Sequence, residues 1–190
     1  MIKSQLISNA TFYNKSNTDN VTEETVVASM NQTHSNVVIE VKKSGIYNSD
    51  GLITSKKNLI LSISTADCMP VIMSDNFRVG AIHIGWKGLE NKIFKNALEF
   101  FDRSQLKVLI GPHAQSCCYE IQNDLKQKFP NYTLEKNKKL YLNLSEEIYK
   151  FFKKNNINFE ISKECTIHDE SYYSFRRDKT SKRQRSVVWI

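Results

Sequence analysis

The chain has 190 residues and a formal charge of +7, from 27 basic and 20 acidic side chains. That length suits one domain with a core large enough to need no covalent staples. No stretch of 18 apolar residues exists to span a bilayer as a helix, and the opening MIKSQLISNATFY lacks the apolar centre of a signal peptide. A cytoplasmic location and no membrane partner are therefore expected. The cysteines, Cys68, Cys117, Cys118 and Cys165, lack the spacing of a secreted disulfide framework and suit free thiols in a reducing compartment. The excess lysine is scattered among asparagines, as in NYTLEKNKKLYLN, which predicts a solvated surface rather than a nucleic-acid face.

In chain order, residues 1–30 are polar, with short apolar pieces at Leu6-Ile7 and Val26-Val27 that suggest an edge strand, a loop and a short element. Val37 to Val41 is a β-branched run and predicts a strand. Asn48-Ser49-Asp50-Gly51 is a turn signal, with a short strand expected at Leu52-Ile53-Thr54. Strands are expected at Leu59–Ser64, Pro70–Ser74 and Arg78–Ile84. From Leu89 the period changes: Leu89, Ile93, Phe94, Ala97, Leu98 and Phe101 share one face of a long predicted helix. Gln105–Gly111 returns to strand. A helix through Tyr119, Ile121, Leu125 and Phe129 should stop at Pro130, and another should begin near Asn143 with Glu146 completing a capping box. Strands at Ile157–Ile161 and Ser186–Ile190 close the chain. Strands interleaved with three helices give an α/β or α+β domain with mixed sheets.

Three residues at strand–loop junctions carry the strongest chemical signal. His34 precedes one predicted strand, Cys68 follows another, and His83 ends a third. Two imidazoles and a thiolate form a set able to hold a catalytic metal with one position open. The same atoms also suit a nucleophile pair, with Cys68 attacking, His83 as base, and His34 or an aspartate as orienter. The separations of 34 and 15 residues exclude a compact metal knuckle but do not choose between these readings. Asp67 beside Cys68 suits either proton transfer or a turn. Gly85-Trp86-Lys87-Gly88 leads into a helix, where glycine permits close approach and Lys87 could meet an anion. His113 sits in a loop after Gly111-Pro112, and Arg176 follows the aromatic stretch YYSF.

These residues resemble those of a known family, the multicopper-polyphenol-oxidoreductase-like laccase-domain proteins. The family is described as zinc-dependent purine nucleoside phosphorylases and includes the peptidoglycan editing factor. The matching pieces are Gln32-Thr33-His34, Asp50-Gly51, Thr65-Ala66-Asp67-Cys68-Met69-Pro70 and His83-Ile84-Gly85-Trp86-Lys87-Gly88. Ile110-Gly111-Pro112, Cys118-Tyr119-Glu120, Cys165-Thr166 and Ser174-Phe175-Arg176-Arg177 follow in the family's order. The resemblance implies a single α/β/β/α layered domain over residues 1–190, shortened at its N-terminus. It implies His34, Cys68 and His83 as metal ligands, with zinc as the metal and copper as second choice. It also implies phosphorolysis of adenosine and inosine, action on methylthioadenosine, and adenosine deamination, with a nucleoside and phosphate as partners of a monomer or small homo-oligomer. Asp67, His113 and Arg176 are then candidate catalytic groups, and Gly85, Trp86 and Lys87 candidate substrate or phosphate contacts. The alternatives are a peptidoglycan editing or cysteine-type hydrolase using the same Cys/His site, or a non-enzymatic metal- or partner-binding protein. This chain departs from the family pattern at Ser35, at Lys87 and at Thr180-Ser181-Lys182.

Overall fold

Three links carry the chain from one six-stranded sheet to the other and others bring it back, and that crossing pattern sets the architecture. The computed structural model describes residues 1–18 and 26–190, so part of the loop expected before Val26 lies outside the described residues. The chain opens with β1 (Ile2–Lys3), β2 (Ala10–Phe12) and β3 (Val27–Asn31). Next come β4 (Val38–Glu40), β5 (Gly45–Asn48), β6 (Gly51–Thr54), β7 (Ile60–Thr65), β8 (Met69–Ser74) and β9 (Val79–Ile84). Helices α1 (Trp86–Glu90) and α2 (Ile93–Leu98) lead to β10 (Lys107–Ile110), β11 (Glu120–Ile121) and α3 (Asn123–Lys128). The remainder is β12 (Thr133–Lys136), β13 (Lys139–Leu142), α4 (Glu146–Lys154), β14 (Asn158–Ile161), α5 (Phe175–Asp178) and β15 (Gln184–Val188).

One six-stranded sheet has the order β1-β2-β15-β7-β3-β5, a second has β14-β10-β8-β9-β6-β4, and a small third sheet has β11-β13-β12. Parallel and antiparallel pairs are mixed in both large sheets. The domain is thus a mixed α/β layered sandwich, with the mixed sheets that the pattern of elements predicted and the layering that the family resemblance implied. The strand period of two explains the layers. In the second sheet, Ile72, Val79 and Ala81 face Leu61 and Ile63 of the first sheet. Their neighbours Met69, Val71, Met73, Ile82 and Ile84 face Leu89, Phe94, Ile148 and Phe152 of the helical layer. The second sheet is therefore apolar on both faces. Each Ile, Leu or Phe buried fully there contributes about 1.5–3 kcal/mol, making a rigid platform for whatever its strand ends carry.

Several elements differ from the sequence expectation. The long helix from Leu89 is broken: α1 and α2 are separated by Lys92, which has a left-handed φ of 58°. The predicted apolar face survives the break, with Leu89, Ile93, Phe94, Ala97, Leu98 and Phe101 all buried. Tyr119 and Ile121 are not helical; Glu120–Ile121 forms β11, and the helix is confined to α3. The helix near Asn143 starts later, at Glu146, and Asn143 is bonded to the Glu146 side chain rather than capping backbone. The lysine-rich segment expected to be plain surface contains the hairpin β12–β13, turned by Asn137 and Lys138 with φ of 50° and 61°. Two successive left-handed residues are the signature of the tight turn that suits strand twist.

Candidate active site

The links between the sheets assemble the site. β3, β5 and β7 are parallel neighbours in the first sheet, so their C-terminal ends lie at the same edge. Each of these strands hands the chain to the second sheet, through links containing His34, Asp50 and Cys68 respectively. His83 arrives on β9, where it pairs with Pro70 just after Cys68. Thus residues 34, 50, 68 and 83 converge because of strand order, which no local spacing encodes.

Asp50 is the hub. Its carboxylate is fully buried and accepts the His83 Nδ1–H at 2.7 Å. It also accepts the backbone N–H groups of Thr33, His34 and Ser35 at 3.2, 3.0 and 2.7 Å, and the Ser35 hydroxyl at 2.7 Å. Burial alone would raise its pKa, but the bonds from His83 and Ser35 outweigh burial and hold the carboxyl well below the usual carboxylate range. The same contacts fix the loop that carries His34, whose backbone is left-handed with φ of 61°. A non-glycine residue held in that region is strained, and here the strain aims the imidazole into the site. In the sequence Asp50 stood out as a turn residue and as part of a family-like Asp-Gly piece, with no sign that it would anchor His83.

His83 is buried, and with Nδ1 committed to Asp50 its Nε2 is free to face the thiol. His34 Nε2 lies 3.7 Å from Cys68 Sγ, and the two imidazoles meet edge to face at 4.9 Å between centroids. All three potential ligand atoms, one from each of His34, Cys68 and His83, lie within 4.8 Å of one another. Burial would raise the Cys68 thiol, but His34 and His83 outweigh it and bring it down to about 6. Burial would lower His83, but Asp50 and the thiolate push it up to about 9. The signs agree: below about 6 the thiol regains its proton, and above about 9 the imidazolium loses its own. In metal-free protein, alkylation of Cys68 by iodoacetamide should reach half its maximum near pH 6. A midpoint near the ordinary thiol value, about 8.5, would contradict this electrostatic picture.

Gly85 closes the site from beneath. A Cβ at this position would stand 2.9 Å from His34 Cδ2 and 3.1 Å from Cys68 Sγ. Gly85→Ala should therefore push the two side chains apart. We expect about tenfold slower Cys68 alkylation, with about 1–3 kcal/mol lost from overpacking. Alkylation kinetics and thermal melting check both.

The site opens into a cleft of about 440 Å³, within the range of small-molecule pockets. Besides His34, Cys68 and His83, its lining includes Met30, Gln32, Thr65, Phe175 and Arg183. Gln32 is locked by a two-way bond with the Ser64 backbone, at 2.8 and 2.9 Å. Among the described residues, the buried Thr65 hydroxyl has no hydrogen-bond partner. The sequence flagged Thr65 only as part of the family-like motif around Cys68 and did not mark Met30 or Arg183 for the site, because these residues converge only through sheet pairing and the return of the C-terminal segment.

The other candidate residues lie around this cleft rather than in its lining. Asp67, left-handed with φ of 86°, accepts the Thr166 hydroxyl at 2.8 Å and the Arg176 backbone N–H at 2.7 Å. The Arg176 guanidinium donates to the Glu120 carbonyl and stacks over Tyr119. His113 is fully buried and donates from Nδ1 to the Gly111 carbonyl, while burial lowers it to about 4 and keeps it neutral. Lys87 Nζ lies over the Trp86 ring, as does Lys128 Nζ from α3, at 5.6 and 5.0 Å.

A layered α/β domain carrying a thiol between two imidazoles, one anchored on a buried carboxylate, defines a catalytic protein with a thiol or metal centre. Residues 10–190 match the family model described as multi-copper polyphenol oxidoreductase laccase, and the chain belongs to that family. It is 33% identical over 165 residues to a purine nucleoside phosphorylase of Aquifex aeolicus, covering 84% of this chain and 80% of that protein. It is 32% identical over 171 residues to a protein of the same name from Clostridium acetobutylicum, covering 82% and 72%. Among solved structures, Bacillus licheniformis hypothetical protein YfiH superposes with a TM-score of 0.80 at 26% identity, over 93% of this chain and 79% of that one. YlmD from Geobacillus stearothermophilus does so with 0.75 at 22%, over 86% and 72%. Among the described residues no helix is long and apolar enough to cross a membrane.

Two expectations are corrected here. The site is of laccase or cysteine-hydrolase type rather than that of a zinc-dependent purine nucleoside phosphorylase, because its chemistry rests on a thiol–imidazole cluster within a laccase-family match. The metal expectation changes with it. Two imidazoles and a thiolate are the donor set that copper takes in trigonal His₂Cys sites, so the cluster and the family match point to copper rather than zinc. The relatives' shared name supports catalytic function in general.

Proposed function

We propose that this chain is a hydrolase of the cysteine type, cleaving an acyl–nitrogen or acyl–oxygen bond in a small molecule held in the cleft beside Cys68. The single observation that carries this reading is the chain of contacts from buried Asp50 through His83 to Cys68. Asp50 fixes the tautomer and direction of the imidazole, leaving Nε2 to exchange protons with the thiol. The Cys68 thiolate attacks the acyl carbon, forming an S–C bond as the bond to the leaving group breaks. His83 gives its Nε2 proton to the departing amine or alcohol. Water then attacks the thioester while His83 takes its proton, releasing the acid and restoring the thiolate. His34, 3.7 Å from the sulfur, favours the thiolate before attack. The unpartnered Thr65 hydroxyl is the polar group in the cleft most in need of a ligand contact.

His34, Cys68 and His83 also fit a copper ion, by the chemistry of the donor set and the 4.8 Å spread of its atoms. Copper bound there would supply one-electron redox chemistry. It would also occupy the attacking sulfur, so the two activities exclude each other at one centre. The relatives' name supports a purine nucleoside as a ligand the cleft can bind, with Met30 and Phe175 offering apolar surface to a base; adenosine has no acyl bond, so here it competes with the acyl substrate and is not cleaved.

The test uses chelator-stripped and copper-loaded protein against a panel of small amides and esters that includes serine-containing muropeptides. Stripped protein should hydrolyse at least one member, copper should inhibit it, and adenosine should slow Cys68 alkylation by occupying the cleft. Hydrolysis that appears only on copper loading would sink the cysteine mechanism.

A further inference from the structure

Outside the cleft, a second group of soft ligands is assembled by a different part of the chain. Cys117 and Cys118 lie in the loop between β10 and β11, and Cys165 follows β14. The three thiols are free, and their sulfurs all lie within 4.8 Å of one another. Cys117 and Cys118 have sulfurs 3.2 Å apart, well beyond the disulfide length of about 2.05 Å.

The surrounding backbone holds this arrangement in place. Cys165 is buried and bridges to His113 as a short parallel β contact, with the Thr166 N–H donating to the His113 carbonyl at 3.2 Å. The Gln115 N–H points at the Cys165 sulfur at 3.4 Å, a contact that favours the anionic thiolate. The turn carrying the other two is closed by the Cys118 and Tyr119 N–H groups on the Gln115 carbonyl, at 3.0 and 2.9 Å. Beside the cluster lies an open cleft of about 620 Å³, whose lining includes Cys117, Cys165 and Asp169, so an ion has a route in. Three sulfur anions this close repel one another unless a cation sits among them.

We propose that Cys117, Cys118 and Cys165 form a second metal site, separate from the His34–Cys68–His83 cluster, that takes a soft monovalent cation, Cu(I). Thiolates select soft ions, and among the described residues the three sulfurs form the group within 4.8 Å of one another, while His168, Glu164 and Asp169 line the adjoining cleft outside that group. A tetrahedral zinc site closed by protein would need a fourth ligand, whereas three thiolates complete a trigonal Cu(I) shell.

The experiment is an anaerobic Cu(I) titration against a chromogenic chelator, using the full chain carrying Cys68→Ser to remove the only thiol of the first cluster. One equivalent should bind, and X-ray absorption should show sulfur neighbours only. In that background Cys117→Ser, an exposed position outside the core, and Cys165→Ser should each weaken binding by at least the roughly 100-fold that loss of an outer-shell contact can cause. Absence of uptake would overturn the proposal, as would uptake through nitrogen ligands, uptake unchanged by Cys117→Ser, or tighter binding of Zn(II) than of Cu(I).

Discussion

Replacing Asp50 with alanine should produce the largest combined loss of stability and activity in this protein. The substitution removes, in one step, the acceptor of the His83 Nδ1–H, three backbone N–H groups and the Ser35 hydroxyl. Breaking a buried charged pair costs about 3–5 kcal/mol, and for a chain of this size each kcal/mol lowers Tm by about 2–4 °C. A fall of roughly 10 °C or more is expected, checked by calorimetry. Asp50→Asn separates fold from chemistry, since it keeps the shape and one accepting oxygen but no longer fixes the imidazole tautomer. It should fold and still lose on the order of 10⁴ in kcat, the effect of losing the orienting carboxylate in a triad. Full activity in Asp50→Asn would mean that His83 is not the base.

Cys68→Ser should abolish hydrolysis while leaving the fold intact. The side chain is small and half-buried, so stability should change by less than about 1 kcal/mol, whereas loss of a nucleophile costs on the order of 10⁶ in kcat. Serine restores an oxygen in nearly the same place, but its hydroxyl is far less acidic than a thiol held at about 6. The two substitutions thus differ in kind. Asp50→Ala should move melting and turnover together, and Cys68→Ser should move turnover alone.

The strands were legible in the sequence because their residues alternate or run apolar, and a doubly covered sheet requires such runs. Val38–Glu40, Ile60–Thr65, Met69–Ser74 and Val79–Ile84 all fall within a residue or two of the expected bounds. Sheet membership was not legible. Asp50-Gly51 looks locally like a hairpin turn, but β5 and β6 lie in different sheets, and that crossing is what brings Asp50 under His83. The hairpin of β12 and β13 was hidden by its lysines, which mark an exposed edge as readily as a loop. Lys92 broke the long helix without altering its apolar face, because periodicity reports which side is buried and not whether the axis is continuous. His34, Cys68 and His83 stood out as chemistry-bearing residues at strand ends. Their choice between zinc and other roles depended on neighbours such as Asp50 that only the fold assembles.

The central claim is that Cys68 is a nucleophile activated by the Asp50–His83 pair, and it is tested most directly by trapping its covalent intermediate. Chelator-stripped protein is mixed with an activated acyl ester, quenched in acid, and weighed intact by mass spectrometry. The account predicts one acyl group per chain, mapped to Cys68, released by hydroxylamine and absent in both Cys68→Ser and Asp50→Asn. Turnover of the ester with no adduct on Cys68, or turnover retained in Cys68→Ser, would contradict it.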